Sequence, residues 1–299
     1  MTTTALFRHI DPNSYTGKPW NKVDSPGTSF VQKEHTRPVH NIRGHEHDFG
    51  TDISGFAVYT SPAAEKEFTS DAAVRGGYYA EVEALLRAKL AGVKKVVIFD
   101  HTVRRRAEGS ARQPVQQVHV DQSPAAAAAR VRRHVPASEA DALLKGRYQI
   151  VNVWRPIGNP ASDFPLAVVD WRSTVPEDFI AVDLLYPRRD SLGAEDDGDD
   201  RGKERLADPG TALSTEGYEV KGETLSVAPS ERHRFYYVKD MTPDEVMLLK
   251  CFDSRGEGME NGVKGLALRT PHTAFVDPQT PEDAPGRQSI EVRCLIFYE

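Results

Sequence analysis

Cysteine is scarce: Cys251 and Cys294 are the only two in 299 residues, too few for a disulfide framework or a cysteine-rich zinc site. Each lies in an apolar stretch, Leu248-Leu249-Lys250-Cys251-Phe252 and Val292-Arg293-Cys294-Leu295-Ile296, which predicts buried, reduced thiols in a reducing compartment. Long hydrophobic runs are lacking too. Nothing approaches the roughly 18 apolar residues of a membrane helix, so no membrane partner is expected. Met1-Thr2-Thr3-Thr4-Ala5 has neither the basic nor the apolar region of a signal peptide, and a cytoplasmic location is expected. Cations are in deficit, with 38 Lys and Arg against 44 Asp and Glu and a net charge of −6. The arginines are interspersed with acids and form no stripe for a phosphate backbone, which argues against a nucleic-acid partner. There is no Gly-rich phosphate loop, no Gly-x-Ser-x-Gly elbow and no spaced Cys-His pair, so nucleotide-binding and hydrolase readings have little support.

With 39% hydrophobic and 27% charged residues the composition is that of an ordinary globular protein able to bury a sizeable core. Residues 1–50 are rich in Pro, Gly, Asn and His without a sustained period, which predicts an extended N-terminal arm around a single domain over 51–299. Val74, Tyr78, Val82, Leu85, Leu86 and Leu90 recur at spacings of three and four, an amphipathic helix over 71–90. Ser123-Pro124 starts a helix to about His134, and a short one follows over 138–144. Most of the remaining apolar runs read as strands: 56–59, 95–100, 148–156, 166–171, 179–186, 222–227, 234–238 and 246–252. Thr242-Pro243-Asp244-Glu245 reads as a helix start. The stretch near 188–209, with Glu195-Asp196-Asp197-Gly198-Asp199-Asp200, has too few large apolar residues to order itself and reads as a mobile acidic insertion. Many strands with few, early helices predict a mainly β fold with flanking helices, an antiparallel double-layered barrel.

The most informative stretch is Val115-Gln116-Gln117-Val118-His119-Val120-Asp121. In a strand, side chains two apart share a face, so the His119 imidazole and the Asp121 carboxylate converge. Imidazole plus carboxylate suits a divalent metal such as iron(II), and a two-His-one-carboxylate triad leaves positions open for a co-substrate and dioxygen. His9-Ile10-Asp11 repeats the pattern but runs into Pro12-Asn13 and reads as a solvated terminus. His45-Glu46-His47-Asp48 has no fixed face and reads as surface. His233 and His272 compete to be the third ligand. Only His272 is followed by Arg287-x-Ser289, a guanidinium fork beside a hydroxyl on one strand face, complementary to a carboxylate. Asn152 sits on the face of Tyr148, Ile150 and Trp154, where it either ties down a loop or lines a polar pocket.

Five segments together resemble the CmcJ/AsaB-type hydroxylase/desaturase family of iron(II)/2-oxoglutarate-dependent dioxygenases. They are Asp100-His101-Thr102-Val103-Arg104, Val118-His119-Val120-Asp121, Asn152-Val153-Trp154-Arg155-Pro156, Pro271-His272-Thr273-Ala274-Phe275 and Arg287-Gln288-Ser289-Ile290-Glu291-Val292-Arg293. The similarity spans roughly residue 55 to the C-terminus. It implies a double-stranded β-helix core, jelly-roll and cupin-like, with iron on His119, Asp121 and His272. It also implies 2-oxoglutarate held by Arg287 and Ser289, with Asn152 in contact with that co-substrate. The reaction implied is hydroxylation, desaturation or oxidative cyclisation of a small molecule of secondary metabolism with dioxygen. The alternative is a metal-binding barrel that is an isomerase or a binding module. Arg104, Arg155, Arg269 and Arg293 all fall in or beside these segments, which suggests an anionic substrate, with Arg104 and Arg269 its better contacts and Arg293 a support for Arg287. A homodimer is left open.

Overall fold

The computed structural model describes residues 2–23, 25, 27–106, 114–188 and 212–298. The acidic insertion expected near 188–209 lies, but for Arg188, outside the described residues. In chain order the strands are β1 (Thr2–Ile10), β2 (Trp20–Lys22), β3 (Gln32–Asn41), β4 (Phe56–Thr60), β5 (Lys95–Arg105), β6 (His119–Val120) and β7 (Tyr148–Pro156). There follow β8 (Leu166–Val169), β9 (Phe179–Pro187), β10 (Tyr218–Val227), β11 (Phe235–Tyr237), β12 (Glu245–Asp253), β13 (His272–Ala274) and β14 (Gln288–Phe297). The α-helices are α1 (Asp71–Ala73), α2 (Tyr79–Lys89), α3 (Pro124–His134) and α4 (Ala137–Lys145).

Two sheets form the body. The larger runs β1-β3-β11-β8-β13-β6-β10-β9-β2 and the smaller β4-β12-β7-β14-β5. Pairing is antiparallel except between β3 and β11 and between β2 and β9. This is the expected double-stranded β-helix, a jelly roll with helices on its flank. Every residue of β7 is buried, because it lies between β12 and β14 and is covered on both faces. Val151 and Val153 pack outward with Val82 and Leu86 of α2, whereas Ile150 and Trp154 pack inward. Asn152 shares the inward face by the two-residue period.

The expected helix over 71–90 is interrupted. Ser70 Oγ accepts from the Ala73 amide to start α1, and Val74–Tyr78 then winds as a π-helix before α2. The wider turn keeps Val74 and Tyr78 both buried and puts Tyr78 Oη where it accepts from Arg155 Nε at 3.0 Å. Ser123 caps α3 as expected. Thr242-Pro243-Asp244-Glu245 starts no helix. The Glu245 carboxylate accepts from the Thr242 amide and hydroxyl, closing a turn that feeds straight into β12.

The expectation of an N-terminal arm is corrected. β1 pairs with β3 over its whole length, from Thr2 with His40 to Ile10 with Gln32, and both belong to the larger sheet. The inward residues of β1 are Thr3, Ala5, Phe7 and His9. A threonine, an alanine and a histidine give little contrast with the outward Thr2, Thr4, Leu6 and Arg8, so the alternation is faint in the sequence.

His9 is accordingly no solvated residue. Its Nδ1–H donates to the Val227 carbonyl at 3.0 Å, and its Nε2 is buried without a hydrogen-bond partner. Burial pushes its pKa down from 6.5 to about 3, with His233, His35 and Arg37 adding like charge nearby. A folded-state value below the unfolded one means stability is present above about pH 6.5 and is lost as pH falls toward 3. At pH 5 the loss comes to about 2 kcal/mol. Urea melts at pH 7 and pH 5 should therefore show a smaller pH dependence for His9→Gln than for the wild type. Equal slopes in the two proteins would rule His9 out as the source.

Candidate metal centre

The larger sheet brings His119 and His272 together, because β13 pairs with β6 through the single register match His272 with His119. Their ring centroids lie 4.5 Å apart. Each ring is oriented by a carbonyl two residues back: His119 Nδ1 contacts the Gln117 oxygen at 2.7 Å and His272 Nδ1 the Thr270 oxygen at 3.1 Å. A carbonyl only accepts, so both Nδ1 atoms carry the proton and both Nε2 lone pairs are available. Asp121 directs Oδ1 toward them, 3.3 Å from His119 Nε2 and 3.8 Å from His272 Nε2.

One ligand atom from each of the three lies within 4.8 Å of the others, and this is the one such group found among the described residues. Atoms bound about 2.1 Å from a divalent metal and at right angles lie about 3 Å apart, so the cluster needs little contraction to hold one. Its electrostatics favour a positive charge. Burial raises the Asp121 carboxyl, but His119, Arg293 and His272 outweigh that and hold it well below the usual carboxylate range. Burial pulls His119 down, and the contact with Asp121 more than reverses this. His272 is lowered by burial and by His119 beside it.

His233 is elsewhere. Its Nε2 meets Asp178 Oδ2 at 3.0 Å and its ring stacks near His9, with centroids 6.0 Å apart. His45 and His47 are exposed on the surface.

The cavity beside the three ligands is walled by Thr102, Arg104, Val115, Trp154, Leu166, Thr273, Ala274, Arg287, Ser289, Glu291 and Arg293. β14 supplies three of these, Ser289, Glu291 and Arg293, in strict alternation, and Arg287, on the residue just before the strand, continues the same phase. Arg287 is 3% exposed, donates from Nη1 to the Phe164 carbonyl at 2.6 Å, and has no partner for Nε. Its guanidinium carbon lies 5.7 Å from the Trp154 ring centroid. Burial, with Arg104 adding like charge, pulls its pKa down to about 9. A buried guanidinium in that condition gains from an anion, and Ser289, opposite Arg104 on β5, stands beside it as a second donor. The donor set therefore fits a carboxylate at this end and a divalent metal at the other.

Two expected site residues fall outside this arrangement. Asn152 lies away from Arg287 and Ser289 and meets a candidate metal ligand instead: its Nδ2 donates to Asp121 Oδ2 at 2.8 Å. The reason is register. Asn152 lies opposite Arg293, and Arg293 is four residues, about 13 Å, along β14 from Ser289. Arg269 does not line the cavity; its guanidinium lies 4.7 Å over the Phe179 ring, where burial pulls its pKa down to about 10. Arg155 points to the outer side, bonding Tyr78 and the Pro243 carbonyl. Arg293 supports Asp121 rather than Arg287, with Nε 3.4 Å from Oδ2. Sequence reasoning missed Trp154, Glu291 and this role of Arg293. Extending the alternation Arg287-x-Ser289 by two steps, to Glu291 and Arg293, would have found the last two.

Comparison with known proteins agrees with this chemistry. A family model described as an oxidoreductase/YMDC permease-like domain matches residues 7–297. The chain belongs to that family, and within it to the hydroxylase/desaturases and iron(II)/2-oxoglutarate-dependent dioxygenases that the five segments resemble. It is 32% identical over 277 residues to the Fe(II)/2-oxoglutarate-dependent dioxygenase nvfI of Aspergillus novofumigatus, covering 90% of this chain and 85% of that protein. It is 31% identical over 289 residues to the hydroxylase/desaturase efuI of Hormonema carpetanum, covering 91% and 87%. A solved structure of the iron and α-ketoglutarate-dependent endoperoxidase NvfI matches with a TM-score of 0.74 at 28% identity, over 99% of this chain and 98% of that one. No helix among the described residues is long and apolar enough to cross a membrane.

Proposed function

We propose that the chain oxidises a small-molecule metabolite, using iron(II) held by His119, Asp121 and His272 and 2-oxoglutarate anchored by Arg287 and Ser289. The observation that carries this reading is a two-His-one-carboxylate cluster sharing one cavity with a buried, under-compensated guanidinium. Iron(II) with 2-oxoglutarate and dioxygen supplies an oxidant able to take a hydrogen atom from an unactivated carbon. The chain does the positioning. The carbonyls of Gln117 and Thr270 fix the imidazole tautomers, and Asp121 supplies the anionic ligand. Arg287 and Ser289 bind the far carboxylate of the co-substrate and so set which way its other end faces. Val115, Trp154, Leu166 and Ala274 give the substrate an apolar wall that limits water.

Anaerobic addition of 2-oxoglutarate to the iron-loaded protein should produce a visible charge-transfer band, and aerobic incubation should release succinate. No band and no succinate would favour an isomerase or a binding module on the same barrel.

An anionic group on the substrate is the finer part of the proposal. Of the four arginines that suggest it, Arg104 and Arg293 line the cavity, and Arg104, opposite Ser289 on the neighbouring strand, is the one assigned to the substrate. Wild type should prefer a carboxylate substrate over its neutral amide, and Arg104→Ala should reduce that preference roughly fivefold, about 1 kcal/mol for a half-buried charge pair. Equal turnover of acid and amide by wild type would remove this part alone.

A further inference from the structure

The two oxygens of Asp121 have different surroundings. Oδ1 faces the two imidazoles. Oδ2 faces away from them into the smaller sheet, where Asn152 Nδ2 donates to it at 2.8 Å and Arg293 Nε lies 3.4 Å off. Arg293 is itself fixed by the flanking acids, with Nη1 3.0 Å from Asp100 Oδ2 and Nη2 3.2 Å from Glu291 Oε1. Asp100, Arg293 and Asn152 are register partners on β5, β14 and β7, so one rung across three strands is devoted to a single carboxylate oxygen of the other sheet.

We propose that Asn152 and Arg293 are positioning residues that hold Asp121 as a one-oxygen metal ligand. With Oδ2 accepting from Asn152 Nδ2 and held in ionic contact by Arg293, only Oδ1 turns to the metal, and the carboxylate is kept from taking a second coordination position that the co-substrate or dioxygen requires. Asn152 itself argues for a role beyond packing. It is fully buried, and its Oδ1 has no hydrogen-bond partner. A buried amide with an unsatisfied carbonyl is a liability for stability, and the donation to Asp121 accounts for a polar residue between Ile150 and Trp154.

The inference rests on the metal reading above, and cobalt(II) binding tests the two separately. Asn152→Ala should weaken cobalt(II) binding roughly 10–100-fold, the cost expected for removing a partner of a metal ligand, and should alter the visible cobalt spectrum. Arg293→Lys, which keeps the charge but loses the fork, should show a smaller shift of the same kind and serves as the second variant if Asn152→Ala does not fold. In an Asp121→Ala background the Asn152→Ala change should move cobalt affinity less than about twofold, since its target is gone. Equal losses in both backgrounds, or none in either, would overturn the clamp while leaving the metal site standing. A wild type that binds no cobalt(II) would overturn the metal reading and the clamp with it.

Discussion

Arg287→Ala should raise the 2-oxoglutarate concentration needed to half-saturate the iron-loaded protein by roughly thirty- to several-thousand-fold, with iron content expected to stay at the wild-type level. The range corresponds to ~2–5 kcal/mol, the loss typical when one partner of a desolvated charge-assisted pair is removed. The geometry places this residue toward the upper part of the range. The guanidinium is almost fully buried, its Nε is unpaired, and its neighbours include the like charge of Arg104. A bound carboxylate would supply what the protein leaves unmet. Arg287→Lys should recover part of the affinity, because it restores the charge without the two-pronged fork. Ser289→Ala should cost about 1 kcal/mol, one ordinary hydrogen bond. The measurement is a titration of the anaerobic charge-transfer band, with a thermal melt alongside, since Arg287 Nη1 also braces the Phe164 carbonyl. An unchanged titration curve would remove Arg287 from the co-substrate site.

How much of this was legible in the sequence depended on whether the relevant neighbours lie along the chain or across it. His119 and Asp121 are two apart at a strand end, and the strand period alone joins them. Arg287 and Ser289 are joined in the same way. The contact between Asp121 and Asn152 spans 31 residues and that between Asp121 and Arg293 spans 172, and each depends on how the two sheets face one another. No local period carries that information, which is why the contacts of Asn152 and Arg293 with Asp121 were not legible in the sequence. Arg269 misled for the opposite reason. It is three residues before His272, but it precedes β13, where the chain is not yet held to alternation, and its side chain turns to Phe179.

The N-terminal strands show a further limit. Alternation is visible only when the two faces differ in polarity, and β1 buries Thr3 and His9 beside Ala5 and Phe7. Two polar residues in four erase the pattern, although the burial itself alternates without a break from Thr2 to His9. The same histidine explains why a bare His-x-Asp motif is weak. His9 and Asp11 end a strand as His119 and Asp121 do, yet His9 turns to the Val227 carbonyl and Asp11 pairs with Lys33 at 2.7 Å.

His272→Ala should strip the protein of iron, and His233→Ala should leave iron content largely intact. Both histidines are buried and both stand next to an aspartate, so exposure and a carboxylate neighbour do not separate them. What separates them is the third group. His272 Nε2 shares Asp121 Oδ1 with His119 Nε2, which makes three convergent ligand atoms. His233 Nε2 meets Asp178, whose other oxygen is 3.2 Å from Arg232, a cation that leaves no place for a metal. Removing His272 takes away one of three ligands and should weaken iron binding by more than the roughly 10–100-fold that loss of a supporting contact costs. Removing His233 should instead lower stability, because Asp178 loses a buried partner, and the deficit should appear in a melt rather than in metal analysis. Metal content measured after gel filtration of each variant, with cobalt(II) titration to give affinities, distinguishes the two outcomes. Iron retained by His272→Ala and lost by His233→Ala would place the metal at Asp178 and undo the assignment of the centre.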